Sequence, residues 1–180
     1  MRQYSTLYTI GFSAAVCVIC SLLVSSAAVG LKSAQLRNAT LDKQRNVCEA
    51  AGLVPPSGHP SAEQIRKLFE KIEPVVIERS TGRETEISPV GFDQQALAKD
   101  PATSRQAPPN KAGIRRLPEQ VLVYKIYQDG QLDQVVIPIE GQGLWSTLYG
   151  FLSLGSDGRT IQGITFYQHG ETPGLGGRIT

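Results

Sequence analysis

The sequence predicts an α+β protein, with a transmembrane helix at its amino end and an antiparallel-sheet domain after it. Three features carry this reading. Tyr8–Leu31 is an uncharged apolar run, Ser61 opens a short amphipathic helix, and two pairs of β-rich runs flank Asp129-Gly130 and Asp157-Gly158. Helix, strands, long loop, strands is the order expected of an α+β chain rather than an alternating βαβ one. The chain divides into a transmembrane helix at 8–31, a membrane-proximal helix and loop at 32–60, and a sheet domain at 61–180 with a mobile loop at 89–118.

No Asp, Glu, Lys or Arg occurs between Arg2 and Lys32. A bilayer-spanning helix needs about 20 mostly apolar residues. The run YTIGFSAAVCVICSLLVSSAAVGL supplies them, and in lipid the backbone must satisfy its own hydrogen bonds as a helix. The competing reading is a signal peptide ending at Ser26-Ala27-Ala28, but the run exceeds the ~7–15 apolar residues of a signal segment. Lys32, Arg37, Lys43 and Arg45 follow the span, so charge counting alone puts the main domain in the cytoplasm. Cys17 and Cys20 share one helix face at i,i+3, as a redox or metal pair or as two small membrane-compatible residues. Cys48 has no cysteine partner outside the span, which excludes a disulfide-stapled fold.

Leu31–Leu53 lacks proline, carries a loose apolar stripe at Leu41, Val47, Cys48 and Ala51, and is stopped by Gly52. Ser61 and Gln64 form a capping box, and Ile65, Leu68, Phe69 and Ile72 recur at helical spacing up to Pro74. Val75–Ile87 reads as two strands around Thr81-Gly82. Pro89–Pro118 loses periodicity and is long for a compact domain. Its Arg105, Lys111, Arg115 and Arg116 suit a solvated loop better than a phosphate site. Asp129-Gly130 between β-branched and aromatic runs signals a hairpin. A second hairpin, Leu148–Leu154 and Ile161–Tyr167, turns at Asp157-Gly158.

The 180 residues carry 18 Lys plus Arg against 16 Asp plus Glu, a net charge of +2. That balance, without a basic stripe interleaved with aromatics, excludes a nucleic-acid partner. His59 and His169 stand apart from each other and from cysteine, so no metal site is expected. Chemistry is expected instead in two glycine-rich strand-end loops, Glu140–Gly150 (EGQGLWSTLYG) and His169–Gly177 (HGETPGLGG). Glycine lets backbone N–H groups approach a ligand, and Trp145 or Leu175 offers an apolar face, which suits a flat aromatic ligand. His169 and Glu171 alone do not define a catalytic pair. Glu171 can equally organise the turn by accepting backbone N–H bonds.

LDKQRNVCEAAGL, GQGLWSTLYGFL and GITFYQHGETPGLGG, together with the amino-terminal anchor, resemble the C subunit of the Na+-translocating NADH:quinone (ubiquinone) reductase. HGETPGLGG also resembles the electron-transport G subunit of the Rnf-type complex, but GQGLWSTLYG and LDKQRNVCEAAGL favour the reductase. The resemblance implies an FMN-binding domain on the periplasmic side of a bacterial cell inner membrane, on a single-pass anchor in contact with lipid. This location opposes the charge count. It implies five other subunits as partners in a sodium pump that oxidises NADH and reduces ubiquinone. It also implies a flavin transferase that joins the FMN phosphate to a threonine. Matching the family's loops, the cofactor-binding residues are Trp145, Ser146, Thr147, Glu171, Thr172, Gly174, Leu175 and Gly176, with no catalytic residue and no metal ligand. The attachment motif, S-G-A-T, does not occur in the chain, so the covalent threonine is expected downstream of Thr180 and the FMN-binding domain is expected to be incomplete at its C-terminus. The alternative from another class is a non-catalytic, membrane-tethered assembly protein.

Overall fold

A computed structural model describes residues 5–54, 58, 60–174 and 179. Two units, Met1–Thr40 and Leu41–Thr180, are taken separately.

The described part of the first unit is helical and belongs to α1 (Thr6–Ala50). Its mean hydropathy reaches 2.3 over 18 residues, none of them buried, so the helix is long and apolar enough to cross a membrane. Leu7, Phe12, Leu22 and Leu23 are all more than 60% exposed, the pattern of a helix whose apolar side chains are covered by nothing among the described residues. The sequence separates a span at 8–31 from a following helix, yet α1 runs through Leu31 without a break. No proline occurs between Thr6 and Ala50 to interrupt the ladder.

The second unit is a five-stranded antiparallel sheet in the order β1-β4-β5-β6-β7. Its strands are β1 (Ile72–Glu78), β4 (Gln120–Gln128), β5 (Gln131–Gln142), β6 (Thr147–Gly155) and β7 (Ile161–Gln168). Both expected hairpins form. Asp129 and Gly130 take φ of 51° and 79°, the left-handed pair that a two-residue turn between twisted strands requires. At the second hairpin the Asp157 carboxylate accepts from the Arg159 and Thr160 N–H groups and from the Thr160 hydroxyl. These bonds, the Thr160 hydroxyl foremost, hold its pKa down to about 2.

The last turns of α1 lie on this sheet. Gly52 N–H donates to Glu49 O at 2.9 Å and Leu53 N–H to Cys48 O at 2.9 Å, which closes the helix as Gly52 predicts. α2 (Ala62–Phe69) has the predicted capping box, with Ser61 and Gln64 bonded reciprocally. Val47, Cys48, Ala50 and Ala51 of the α1 end meet Ile65 of α2 and Ile72, Tyr124, Ile126, Val136 and Phe151 of the sheet in one core. Burial pushes the Cys48 thiol up to about 11, with Glu49 adding to the shift. An aromatic series crosses the core: Phe69 to Tyr124 at 5.9 Å, Tyr124 to Phe151 at 5.8 Å and Phe151 to Tyr167 at 4.9 Å.

Two expectations need correction. Val75–Ile87 is not a pair of strands: β1 starts at Ile72 and passes through Pro74, while the return segment forms only an Ile77–Glu84 bridge. Pro74 is tolerated because β1 is an edge strand. Residues 89–118 are also not a structureless excursion. They contain α3 (Gln94–Lys99) and a ribbon of β2 (Ser104–Gln106) with β3 (Arg116–Pro118). Asp93 caps α3, and Arg116 holds the ribbon by donating to Ser104 Oγ at 2.7 Å and Ser104 O at 2.5 Å.

β7 is seated by its contact with α1. Thr165 Oγ donates to Asn46 O at 3.0 Å, and a Cβ on Gly163 would run into the Ala50 carbonyl. Gly163→Ala is therefore expected to destabilise the fold by about 1–3 kcal/mol, the usual range for overpacking. Thermal unfolding measures this, and an unchanged midpoint would show that the α1–β7 contact yields freely.

Candidate functional site

The β5–β6 connection contains Gly143–Ser146, and the segment after β7 begins at His169. Because β6 pairs antiparallel with both β5 and β7, the end of one connection and the start of the other are brought to the same end of β6. Tyr149 pairs with Glu140 on one side and Gln168 on the other; Ser146 lies three residues before Tyr149 and Glu171 three residues after Gln168.

The two segments are joined by one carboxylate. Glu171 Oε1 accepts from the Trp145 N–H at 3.2 Å, the Ser146 N–H at 3.0 Å and the Ser146 hydroxyl at 2.9 Å. Ser146 Oγ in turn accepts from the Gly170 N–H at 2.7 Å. The Gly143 N–H donates to Ser146 O at 2.7 Å and closes the loop on itself. The Glu171 N–H donates to His169 Nδ1 at 3.2 Å, which makes His169 a strand-end acceptor in this arrangement. Glu171 is only 8% exposed. Burial disfavours its charge, but the bonds from Trp145 and Ser146 outweigh that effect and hold the carboxyl below its ordinary pKa.

The glycines around this carboxylate leave room for it. A Cβ on Gly143 would stand 2.5 Å from Glu171 Oε1 and 2.9 Å from Ser146 O. A Cβ on Gly170 would stand 3.1 Å from Ser146 Cβ. Gly174 differs: it has open space but a φ of +83°, which side chains rarely adopt.

Of the sequence-predicted residues, Trp145, Ser146 and Glu171 are brought together by these bonds, and Thr172 and Gly174 follow on the same segment. Leu175 and Gly176 lie outside the described residues. Thr147 opens β6 and lines a cavity of about 390 Å³ with Gln95, Lys99, Arg115, Glu140 and Tyr149. Burial raises the Glu140 carboxyl there, partly offset by Arg79. A larger cavity, about 670 Å³, lies between the end of α1 and β7 and reaches His169, but Trp145 does not line it. Gly143 and Gly170 are the site residues that sequence reasoning missed. Their glycine-rich surroundings were visible, but the steric demand came from a side chain far along the chain.

Trp145 is 70% exposed and Leu144 77% exposed, on a loop whose backbone is fixed by the buried carboxylate. A rigid loop that turns apolar surface outward beside a glycine-rich segment can hold one face of a planar ring. Residues 143–180 match the family described as FMN-binding domain. Fold and site together thus define a flavin-binding domain of the antiparallel α+β kind, carried on an amino-terminal apolar helix.

The C subunit of the Na(+)-translocating NADH-quinone reductase of Pseudomonas aeruginosa is 42% identical over 182 residues, covering 99% of this chain and 69% of that protein. Its Yersinia pestis counterpart is 42% identical over 167 residues, covering 91% of this chain and 62% of that one. The crystal structure of Shewanella oneidensis NqrC aligns with a TM-score of 0.68 at 34% identity, covering 76% of this chain and 63% of that one. The corresponding structure from Parabacteroides distasonis aligns with a TM-score of 0.61 at 25% identity, covering 83% and 63%. The chain belongs to the NqrC family, the C subunits of the Na(+)-translocating NADH-quinone reductases. It spans about two thirds of the length of these relatives.

A depressed carboxyl pKa contributes stability above the ordinary value of 4.5 that is lost as pH falls through the lower folded value. Emission from Trp145, the sole tryptophan, is therefore expected to hold steady down to pH 4.5 and to shift below it. The same titration of Glu171→Gln should lack that step.

Proposed function

We propose that the chain is the FMN-carrying electron-transfer subunit of a sodium-pumping complex that oxidises NADH and reduces ubiquinone. The observation that carries this reading is the Glu171 carboxylate joining the Trp145–Ser146 loop to the Glu171–Gly174 segment, inside the stretch that matches the FMN-binding family.

The residues present fit a flavin ring. Trp145 is exposed, and Thr172 and Gly174 offer a short side chain and an open backbone on the segment that Glu171 ties to its loop. In this reading Trp145, Ser146, Thr147, Glu171, Thr172, Gly174, Leu175 and Gly176 line or shape the ring side of the site. When bound, the flavin supplies the redox chemistry, and the protein supplies its position and its electrostatic surroundings. Glu171, held ionised, adds negative charge behind the loop. Its bonds keep the Trp145–Ser146 backbone from rearranging when a ligand arrives or leaves.

The partners in this reading are the five other subunits of the pump and the flavin transferase that esterifies the FMN phosphate. α1 is the single-pass anchor, spanning the inner membrane over 8–31, and the sheet unit that begins at Leu41 is the periplasmic FMN-binding domain. The apolar, unburied surface of α1 supports the span.

Titration of the full chain in detergent with FMN, followed by quenching of Trp145 and flavin emission, is expected to give micromolar binding, about −8 kcal/mol. Trp145→Ala and Gly174→Val should each weaken it at least tenfold. Binding that is absent in the parent chain, or equal in all three proteins, would refute the flavin reading of this site.

A reporter fused after Thr180 tests the orientation. An alkaline phosphatase fusion is expected to be active and a cytoplasm-dependent reporter silent. The opposite pattern would favour the charge count after Leu31.

A further inference from the structure

We infer that Glu171 is a positioning residue: it acts on the flavin through Trp145, by locking the backbone of the β5–β6 loop with its Oε1. This rests on the flavin reading of the site given above and sharpens it.

Three observations support the assignment. First, the accepting capacity of Glu171 Oε1 is taken up by Trp145 N–H, Ser146 N–H and the Ser146 hydroxyl at 2.9–3.2 Å. An oxygen with three donors already around it has no room for a fourth from a ligand. Second, Glu171 is buried at 8% exposure, whereas Trp145 on the loop it holds is 70% exposed. The surface offered to a ligand is therefore the tryptophan, with the carboxylate behind it. Third, Gly143 leaves a space that this carboxylate fills, since a Cβ there would meet Oε1 at 2.5 Å. Loop, glycine and carboxylate fit one another without any ligand.

Ser146 has the same character. Its hydroxyl donates to Glu171 and accepts from Gly170 N–H, so its oxygen bridges the two segments. The pair works as one unit, and its effects on a ligand should be non-additive.

The side chain needed at 171 is an acceptor at a fixed place. A glutamine can present its amide oxygen to the same donors, and an alanine leaves two backbone N–H groups of the loop unpaired. The sole tryptophan lies on the loop itself, so its emission reports the effect without any flavin.

The test uses the full chain in detergent. Trp145 anisotropy and acrylamide quenching are compared for the parent, Glu171→Ala, Glu171→Gln and Gly143→Ala, with circular dichroism as the check that each is folded. Glu171→Ala and Gly143→Ala should lower the anisotropy and raise the quenching constant about twofold, while Glu171→Gln stays near the parent. Unchanged anisotropy in folded Glu171→Ala, or a Glu171→Gln as loose as the alanine variant, would overturn the inference. FMN titration supplies the second readout. Glu171→Ala should weaken binding about tenfold in the parent background, the equivalent of one step of 1.4 kcal/mol, and have no further effect in Trp145→Ala. Additive losses would mean that Glu171 meets the ligand directly and would also overturn it. Absence of FMN binding in the parent would refute the flavin reading alone, because the anisotropy comparison still decides whether Glu171 positions the loop.

Discussion

Burial of the α1 end on one face of the sheet is the constraint on which the rest of the second unit depends. Val47, Cys48 and Ala50 are fully buried there, and small residues at 50, 51 and 163 let helix and strand backbones come close. A five-stranded sheet with its apolar face open to water would not be stable alone, and the end of α1 with α2 covers that face. β7 has no fully buried residue, so its place at the sheet edge rests on pairing with β6, on the stack of Tyr167 on Phe151 and on the bond from Thr165 to Asn46. Where β7 ends decides where His169–Gly174 begins.

The second link follows from strand order. β6 lies between β5 and β7, so the residues before β6 and after β7 become neighbours although Ser146 and Glu171 are 25 positions apart. One buried carboxylate then joins them. A buried charge is costly unless hydrogen bonded, and the donors from Trp145 and Ser146 meet that need. The loop gains rigidity from bonds that also keep the carboxylate ionised. Rigid support behind an exposed aromatic face is what a ring-holding loop requires, because little ordering is left to occur on binding.

Much of this organisation was legible in the sequence because it depends on local chemistry. The Ser61–Gln64 box, the Gly52 stop and the Asp-Gly turns each involve residues within five positions of one another. The acceptor role of Glu171 was legible as a possibility for a carboxylate in a glycine-rich turn, but its donors were not, since they come from another loop. The order within 89–118 was hidden for a similar reason. Its ribbon depends on Arg116 reaching Ser104 and Pro101, twelve and fifteen residues away, and α3 is only one and a half turns long. Pro74 was misleading because proline stops helices, yet an edge strand accepts it.

The glycines of the site show why composition alone stops short of mechanism. GQGLWS and HGETPG look alike as glycine-rich loops, but their glycines serve different physical needs. Gly143 and Gly170 are small because Glu171 and Ser146 occupy the space a side chain would take. Gly174 has empty space and a backbone angle that side chains resist. The first two belong to the support behind the loop, and the third to the path of the chain as it leaves Glu171. Substitution at 143 or 170 should therefore be felt at Trp145 through displaced neighbours, whereas substitution at 174 should redirect the backbone itself. Only the positions at which space is contested tie the two loops into one site.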